Sequence, residues 1–422
     1  MSRLYPTARL VWMWIWIWLV PALAEVLKTG STCVVTPLGD GVRKSIGTVS
    51  PDERDFNPDD PETYQAPPLG APGALGVYPR PEPSRGSKPP MEPLGGWDMY
   101  PYQRPDAGGR LRGGSGDFDN DAYQILDAFK QCGKDGEVIF REGTYNIRSV
   151  MNTTTLQNCS VEIHGKFVWS VDNIQYWMAR GHSVGYAGRS TVWLLGGKDV
   201  RVGGFGKAVF DGSGQVWVDQ NRRLSGRTGR PISMTVWQGT NILIDGISWR
   251  RPIFGGVFVA RSRNVTMRNL NMNMTSCSTW QAADSEGVGT WNSRDVAIQN
   301  LTVNCSDVSP LFPTVDFEEL TYGFPQACVG VKGNSTNVHV KDVTCYGSGV
   351  GIGSVGQDSN HPDYVENVVF ENIRSYNSIN AGWIKPQPGD GHVRNITFRK
   401  IHLDGVNQPI YVTSCAGKCL QV

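Results

Sequence analysis

The sequence predicts an all-β fold of the β-solenoid class, and three observations carry that reading. First, a short pattern recurs: Asn or Asp, apolar, any, apolar, any, Asn or Asp, apolar. It reads Asp295-Val-Ala-Ile-Gln-Asn-Leu301, Asn337-Val-His-Val-Lys-Asp-Val343 and Asn367-Val-Val-Phe-Glu-Asn-Ile373. The alternation makes each copy a short strand with one face buried, and the Asx residues suit its turns. Second, from Asn241 through Asn264, Asp295, Asn337 and Asn367 to Asn395 the steps are 23, 31, 42, 30 and 28 residues. A repeat of that size with strands in each unit is the signature of a solenoid, whose coils bury their inward side chains on one another. Third, beyond residue 147 there is almost no helical periodicity. A β-sandwich, the main alternative, needs shorter, more regular strand spacing and gives no register of Asx turns.

In chain order, Arg3 and Arg9 precede an apolar run over 10–19, closed by Pro21-Ala-Leu-Ala24. This is the pattern of a secretory signal peptide, residues 1–24, cut after Ala24; the run is too short for a spanning anchor. A single domain over 25–422 is expected to follow. It begins with a short apolar segment around Cys33-Val-Val35. Residues 40–115 are rich in Pro, Gly and charge without periodicity, which predicts a disordered insertion. The spacing of Tyr123, Ile125, Leu126, Ala128 and Phe129 predicts a helix over 117–132 after an Asp-Asn-Asp start, placed to cap the open N-terminal end of the solenoid. Short strands follow at Gly136-Glu-Val-Ile-Phe140 and Tyr145-Asn-Ile147, then Val161-Glu-Ile163, Val200-Arg-Val202, Asn241-Ile-Leu-Ile244, Asn264-Val-Thr-Met267, the three copies above and Asn395-Ile-Thr-Phe398.

Composition narrows the function. A net charge of +1 over 422 residues gives no electrostatic case for nucleic acid or an anionic membrane. Arg222-Arg223 and Arg250-Arg251 read as solvated turns, with contact to an acidic substrate as the lesser alternative. Nine cysteines suit an oxidising compartment, and the odd count leaves one unpaired or implies an incomplete chain. Sequons at Asn152, Asn158, Asn264, Asn273, Asn300, Asn304, Asn334 and Asn395 fit a secreted glycoprotein in which only some are occupied. No His/Cys/Asp cluster has metal-ligand spacing, so no metal is expected, and His339 alternates outward on its strand. The glycines at 347–356 suit tight turns, not a phosphate cradle.

A β-helix surface displays side chains in rows, so a hydrolytic site would place acids on neighbouring coils. Glycosidic hydrolysis needs two carboxyl groups, one protonated to release the leaving oxygen and the other to activate water. Candidates are Asp284 and Glu286, then Asp307, Asp316, Glu318 or Glu319. Six stretches carry a resemblance: Cys33-Val-Val-Thr-Pro-Leu-Gly39, Gly143-Thr-Tyr-Asn-Ile147, Gly212-Ser-Gly-Gln-Val-Trp217, Lys332-Gly-Asn-Ser-Thr-Asn337, Gly351-Ile-Gly-Ser-Val-Gly-Gln357 and Ile384-Lys385. On these the chain resembles glycoside hydrolase family 28, the secreted pectin-cleaving enzymes, most of all its exo-acting branch on galacturonan and rhamnogalacturonan. The resemblance implies a right-handed parallel β-helix and an inverting hydrolysis that needs no cofactor. It also implies that pectic polysaccharide is the partner; from charge and hydropathy no nucleic acid and no membrane after signal cleavage are expected, and a monomer is expected.

The site pattern departs from the family. Its Asn-Thr-Asp-Gly falls on Asp284-Ser-Glu286-Gly287, placing Glu286 at the first catalytic acid. Its Asp-Asp pair falls on Gln326-Ala327, its Gly-His-Gly on Gly347-Ser-Gly-Val-Gly351, and its Arg-Ile-Lys on Trp383-Ile-Lys385. The step from Asp295 to Asn337 is the longest between adjacent late copies. Removing residues 308–326 reduces it to 23 and joins Asp307 to Ala327. Val308-Ser309 is compatible with a splice-donor-like GTG AGT and Gln326 with CAG, so the segment reads as a retained intron. Asp307 is then the candidate general acid and Glu286 positions or activates water. Lys385 is assigned to a substrate carboxylate as a point charge. Trp383 is open between stacking on a sugar ring and packing. The family pattern pairs Cys328 with Cys345, while Cys415 and Cys419 are placed for a local pair. The function implied is an exo-type, inverting hydrolase of α-1,4 galacturonosyl linkages. Its rivals are a β-helix that binds pectic chains without turnover and a purely structural solenoid. The resemblance implies further coils after the point where this sequence stops, so the ending reads as incomplete, with an uncapped last coil that would expose edge strands and apolar rungs.

Overall fold

The computed structural model describes residues 26–38, 120–221, 230–276, 286–305, 327–356, 362–387 and 389–412. The signal peptide, the insertion at 40–115, the segment 308–326 with Asp307, and Cys415 and Cys419 lie outside the described residues. Nineteen strands join one sheet that winds coil upon coil. Two antiparallel hairpins occur among the described residues, Val26–Thr29 with Thr32–Val35 and His182–Ser183 with Ser190–Thr191. The remaining ladders are parallel, so the fold is a parallel β-helix, right-handed as parallel crossovers demand. A β-sandwich is excluded.

The register between coils reproduces the sequence repeat. Thr240 pairs with Arg263, Arg263 with Arg294, Arg294 with Thr336, Thr336 with Glu366 and Glu366 with Arg394. Those offsets are the 23, 31, 42, 30 and 28 of the Asx steps. An offset of 42 also links Lys198 to Thr240, in a coil that carries a helix, so coil length alone does not mark an insertion. Stacking follows directly: Ile242, Val265, Val296, Val338 and Val368 lie one above another and are at most 2% exposed. Toward the N-terminus the interior becomes aromatic, with Phe167 stacked on Phe210 and Trp249 edge-on to Phe210. Large rings in stacked and edge-on contact fill the space between these coils and favour one register by shape.

The Asx positions are corners inside long strands. Asn241, Asn264, Asp295, Asn337, Asn367 and Asn395 all have φ between 51° and 58°, the left-handed region that Asn and Asp tolerate better than other side chains. Each carboxamide also ties its coil to the one before. Asn264 Nδ2 donates to Asn241 Oδ1 at 2.8 Å, Asn337 to Asp295 at 2.9 Å, Asn367 to Asn337 at 3.1 Å and Asn395 to Asn367 at 2.6 Å.

Helix α1 spans Ala122–Cys132 and caps the N-terminal coil with Ala122, Ile125, Ala128, Phe129 and Cys132 buried. It starts at Ala122, later than the periodicity predicts, because Asp121 is drawn into the neighbouring turns. Its carboxylate accepts the backbone N–H of Leu38 at 2.9 Å and of Asn146 at 2.6 Å. Tyr123, counted in the apolar stripe, is 55% exposed. A Cys33–Cys132 disulfide joins the helix to the strand Thr32–Val35. Two short helices that the sequence reading missed, α2 (Ile174–Arg180) and α3 (Gly214–Asn221), interrupt the coils. Among the described residues no helix is long and apolar enough to cross a membrane.

Arg251 is not a solvated turn. With Lys166 it flanks the buried Asp211, at 3.3 and 3.0 Å. Burial pushes the Asp211 carboxyl up, but the two cations and the Ser213 N–H outweigh it, so it lies below the usual carboxylate value. Its contribution to stability is therefore present above the unfolded-state pKa and lost as pH falls through the lower folded value. Asp211→Asn should cost about 3 kcal/mol at neutral pH and flatten the acid limb of a stability profile followed by urea melts. At the corners, Asn337→Ala should cost about 1–2 kcal/mol. Asn337→Gly, which restores the backbone freedom but not the hydrogen bonds, should cost less in the same melts.

Candidate active site

Along the outer face of the solenoid, five short strands run side by side: Val257–Ala260, Glu286–Trp291, Ala327–Val331, Gly349–Val355 and Asn380–Pro386. Alternation sends Val259, Val288, Val329, Val331, Val350 and Ile352 into the core, leaving the intervening residues on the outside. Register arranges these in columns. One reads Phe258, Gly289, Gly330, Gly351, Trp383, Tyr411. The other runs Trp237, Ala260, Trp291, passes to Lys332, whose N–H donates to Thr290 O at 2.8 Å, and ends Gly353, Lys385.

Glu286 opens its strand, with its side chain 23% exposed. Its carboxylate is ion-paired to the Lys332 ammonium, which also donates to Gly353 O at 2.9 Å. Side-chain space is what permits this: a Cβ on Gly330 would stand 3.1 Å from Glu286 Oε1. Burial alone would lower the Lys332 pKa, but Glu286 and the Tyr186 phenol outweigh it, and the lysine ends above its ordinary value. Lys332 is thus a fixed cation, and Glu286 is the carboxylate it holds.

Three further groups converge here. Tyr186 reaches in from the hairpin at 182–191; burial raises its pKa, and the charges of Lys332, Glu286, Asp363 and Arg189 act on its phenol. Asp363, at the start of the strand Asp363–Tyr376, accepts the Gly356 N–H at 3.1 Å and packs on the bare Cα of Gly333; burial raises its carboxyl above the ordinary value. Arg261 lies between the indoles of Trp237 and Trp291, at 5.4 and 5.3 Å from their centroids.

The predicted residues fare differently. Glu286, Trp383 and Lys385 come together on this face. Trp383 is 6% exposed, and its indole lies on Gly351 so closely that a Cβ there would be 2.2 Å from Cε2. The ring is therefore packed against the sheet, one of the two roles left open for it. Lys385 is half-buried and one coil along from Lys332. The residue in register with Glu286 on the next coil is Ala327, followed by Gly349, so the expected pair of acids on adjacent coils is not formed by the described residues. Cys328 and Cys345 form the expected disulfide. Sequence reasoning missed Lys332 as a site residue, although it lay in a quoted stretch and directly follows the strand Ala327–Val331 on its outward phase. It also missed Tyr186, Arg261 and Asp363, for which no periodic signal exists.

The outer face of the β-helix thus carries a carboxylate held by a largely buried lysine. The Glycosyl hydrolases family 28 model matches residues 149–309 and 319–415, and the chain belongs to that family. It is 31% identical over 319 residues to Exopolygalacturonase X of Aspergillus niger, covering 72% of this chain and 68% of that protein. It is 31% identical over 279 residues to the alpha-L-rhamnosidase rgxB of Aspergillus niger, covering 66% and 60%. Endo-xylogalacturonan hydrolase from Aspergillus tubingensis shares the fold with a TM-score of 0.60 at 25% identity, covering 73% of this chain and 77% of that one.

The Glu286–Lys332 pair should behave as a coupled unit. Glu286→Gln and Lys332→Met should each cost about 3 kcal/mol in urea melts, because each leaves a partner charge behind. The double variant should cost clearly less than the two together, and additive costs would show that the pair is not coupled.

Proposed function

We propose that this chain is a secreted, exo-acting pectin hydrolase that removes terminal galacturonate from α-1,4-linked chains with inversion. The single observation that carries the reading is the Glu286 carboxylate, paired with Lys332, on the face of a β-helix of family 28. In this reading Glu286 draws the proton from a water that attacks the anomeric carbon. Asp307 gives its proton to the departing glycosidic oxygen, and Lys385 pairs with a substrate carboxylate. Charge balances without a cofactor: water supplies the hydroxyl of one product and, through Glu286, the proton that restores Asp307.

The segment 308–326 belongs to the same proposal. The family match breaks between 309 and 319, inside it, which supports reading it as a retained intron. Without it Asp307 would directly precede Ala327, the register neighbour of Glu286. A transcript that contains the segment would overturn that part.

The function is tested by incubating transcript-verified protein with polygalacturonate and with rhamnogalacturonan and following reducing sugar. Release of monomeric galacturonate is expected, with kcat falling about 10²–10⁴-fold in Glu286→Gln or Asp307→Asn and KM little changed. Binding of either polymer without turnover would overturn the hydrolase reading.

A further inference from the structure

The Asn-x-Ser/Thr sequons are of two kinds in the folded chain. Eight occur in the sequence; seven lie wholly within the described residues, and Ser306 of the sequon at Asn304 does not. Five of the seven asparagines are corners: Asn158, Asn264, Asn300, Asn334 and Asn395 have φ between 45° and 56°. Four of these commit the carboxamide nitrogen to the coil before. Asn158 Nδ2 donates to Asp135 at 3.1 Å, Asn264 to Asn241 at 2.8 Å, Asn300 to Asn269 at 2.8 Å and Asn395 to Asn367 at 2.6 Å.

Asn152 and Asn273 differ in backbone and in bonding. They lie at strand ends, Asn152 at the start of Met151–Ile163 and Asn273 closing Arg263–Asn273, and neither has a left-handed φ. Each engages its own sequon through oxygen. Asn152 Oδ1 accepts the Thr154 N–H at 3.1 Å and the Thr154 hydroxyl at 2.8 Å. Asn273 Oδ1 accepts the Thr275 N–H at 3.1 Å and the Thr275 hydroxyl at 2.8 Å. Both are Asx turns closed by the sequon's own hydroxyl. Among the described residues neither carboxamide nitrogen has a hydrogen-bond partner. Asn152 is exposed and Asn273 half-buried.

That difference governs where a sugar can be carried. Transfer from a lipid-pyrophosphate-linked oligosaccharide joins Nδ2 to the anomeric carbon. Nδ2 gives up one proton, the bond from carbon to the pyrophosphate oxygen breaks, and the lipid pyrophosphate leaves with the electron pair. At Asn152 and Asn273 the fold bonds through Oδ1, so substituting the nitrogen breaks no native contact. At a corner the same substitution sets a sugar against side chains of coils about 4.8 Å to either side and disturbs the bond to the coil before. We propose that Asn152 and Asn273 are the N-glycosylation sites among these seven, and that the five corner asparagines stay bare in the folded protein. The inference rests on the reading of the chain as secreted.

The test expresses the full chain in a eukaryotic secretory host, removes N-glycans with a peptide-N-glycosidase in heavy-oxygen water and maps the peptides by mass. Conversion to labelled aspartate is expected at positions 152 and 273, with unlabelled asparagine at the five corners. Asn152→Gln and Asn273→Gln should each remove the mass of one glycan and leave the urea midpoint of deglycosylated protein unchanged. Asn264→Gln should do the reverse, lowering the midpoint with the glycan mass intact. Label at any corner of folded protein, or its absence at 152 or 273, would overturn the assignment. If no protein enters the secretory path, the secreted reading fails, and the mapping is repeated with the host's own leader in place of residues 1–24. Glycans at 152 and 273 alone would then uphold the sites, and any other pattern would overturn them.

Discussion

Coil-upon-coil register is the constraint on which everything else in this molecule depends. An inward Val, Ile or Phe gains its burial only if the residue one coil away lies directly above it, and a slip of one residue would turn every side chain to the opposite face. The left-handed Asx corners prevent such slips, because each one stops the alternation, turns the strand and bonds to its counterpart. The functional face inherits the same discipline. Glu286, Lys332 and Lys385 lie on different coils, and no local structure brings them together. Only the shared register does.

The pattern of Asx corners made much of this legible from the sequence. Steps read from Asn241 to Asn395 are the pairing offsets of the structure, since a corner must recur once per coil. The capping helix was legible through Ile125, Ala128 and Phe129, although Tyr123 shows that its stripe was drawn too wide. Helices α2 and α3 were not legible, since each is at most eight residues long and too short to establish a period. At the site, Glu286 could be placed by family pattern, but its partner could not. An ion pair across 46 residues leaves no periodic trace, and Tyr186 arrives from a hairpin that belongs to no repeat. Trp383 was legible only as an aromatic open to two roles, and in the structure its ring packs on Gly351.

The electrostatics of the site follow from what the glycines leave out. Gly289, Gly330 and Gly351 form an outward column without side chains, and Glu286, Lys332 and Trp383 lean into the space. Charge is therefore held low against the sheet, where water is partly excluded and a carboxylate and an ammonium interact more strongly than on an open surface. The Glu286 carboxylate is thereby fixed in position by Lys332 before any ligand arrives.

The disulfide between Cys33 and Cys132 has a further consequence. It encloses the whole stretch from residue 34 to residue 131, which holds everything between the first hairpin and helix α1. Were a protease to cut anywhere in that stretch, the first strands would remain tethered to the solenoid. The nicked chain would migrate as one species until a reductant released its N-terminal piece.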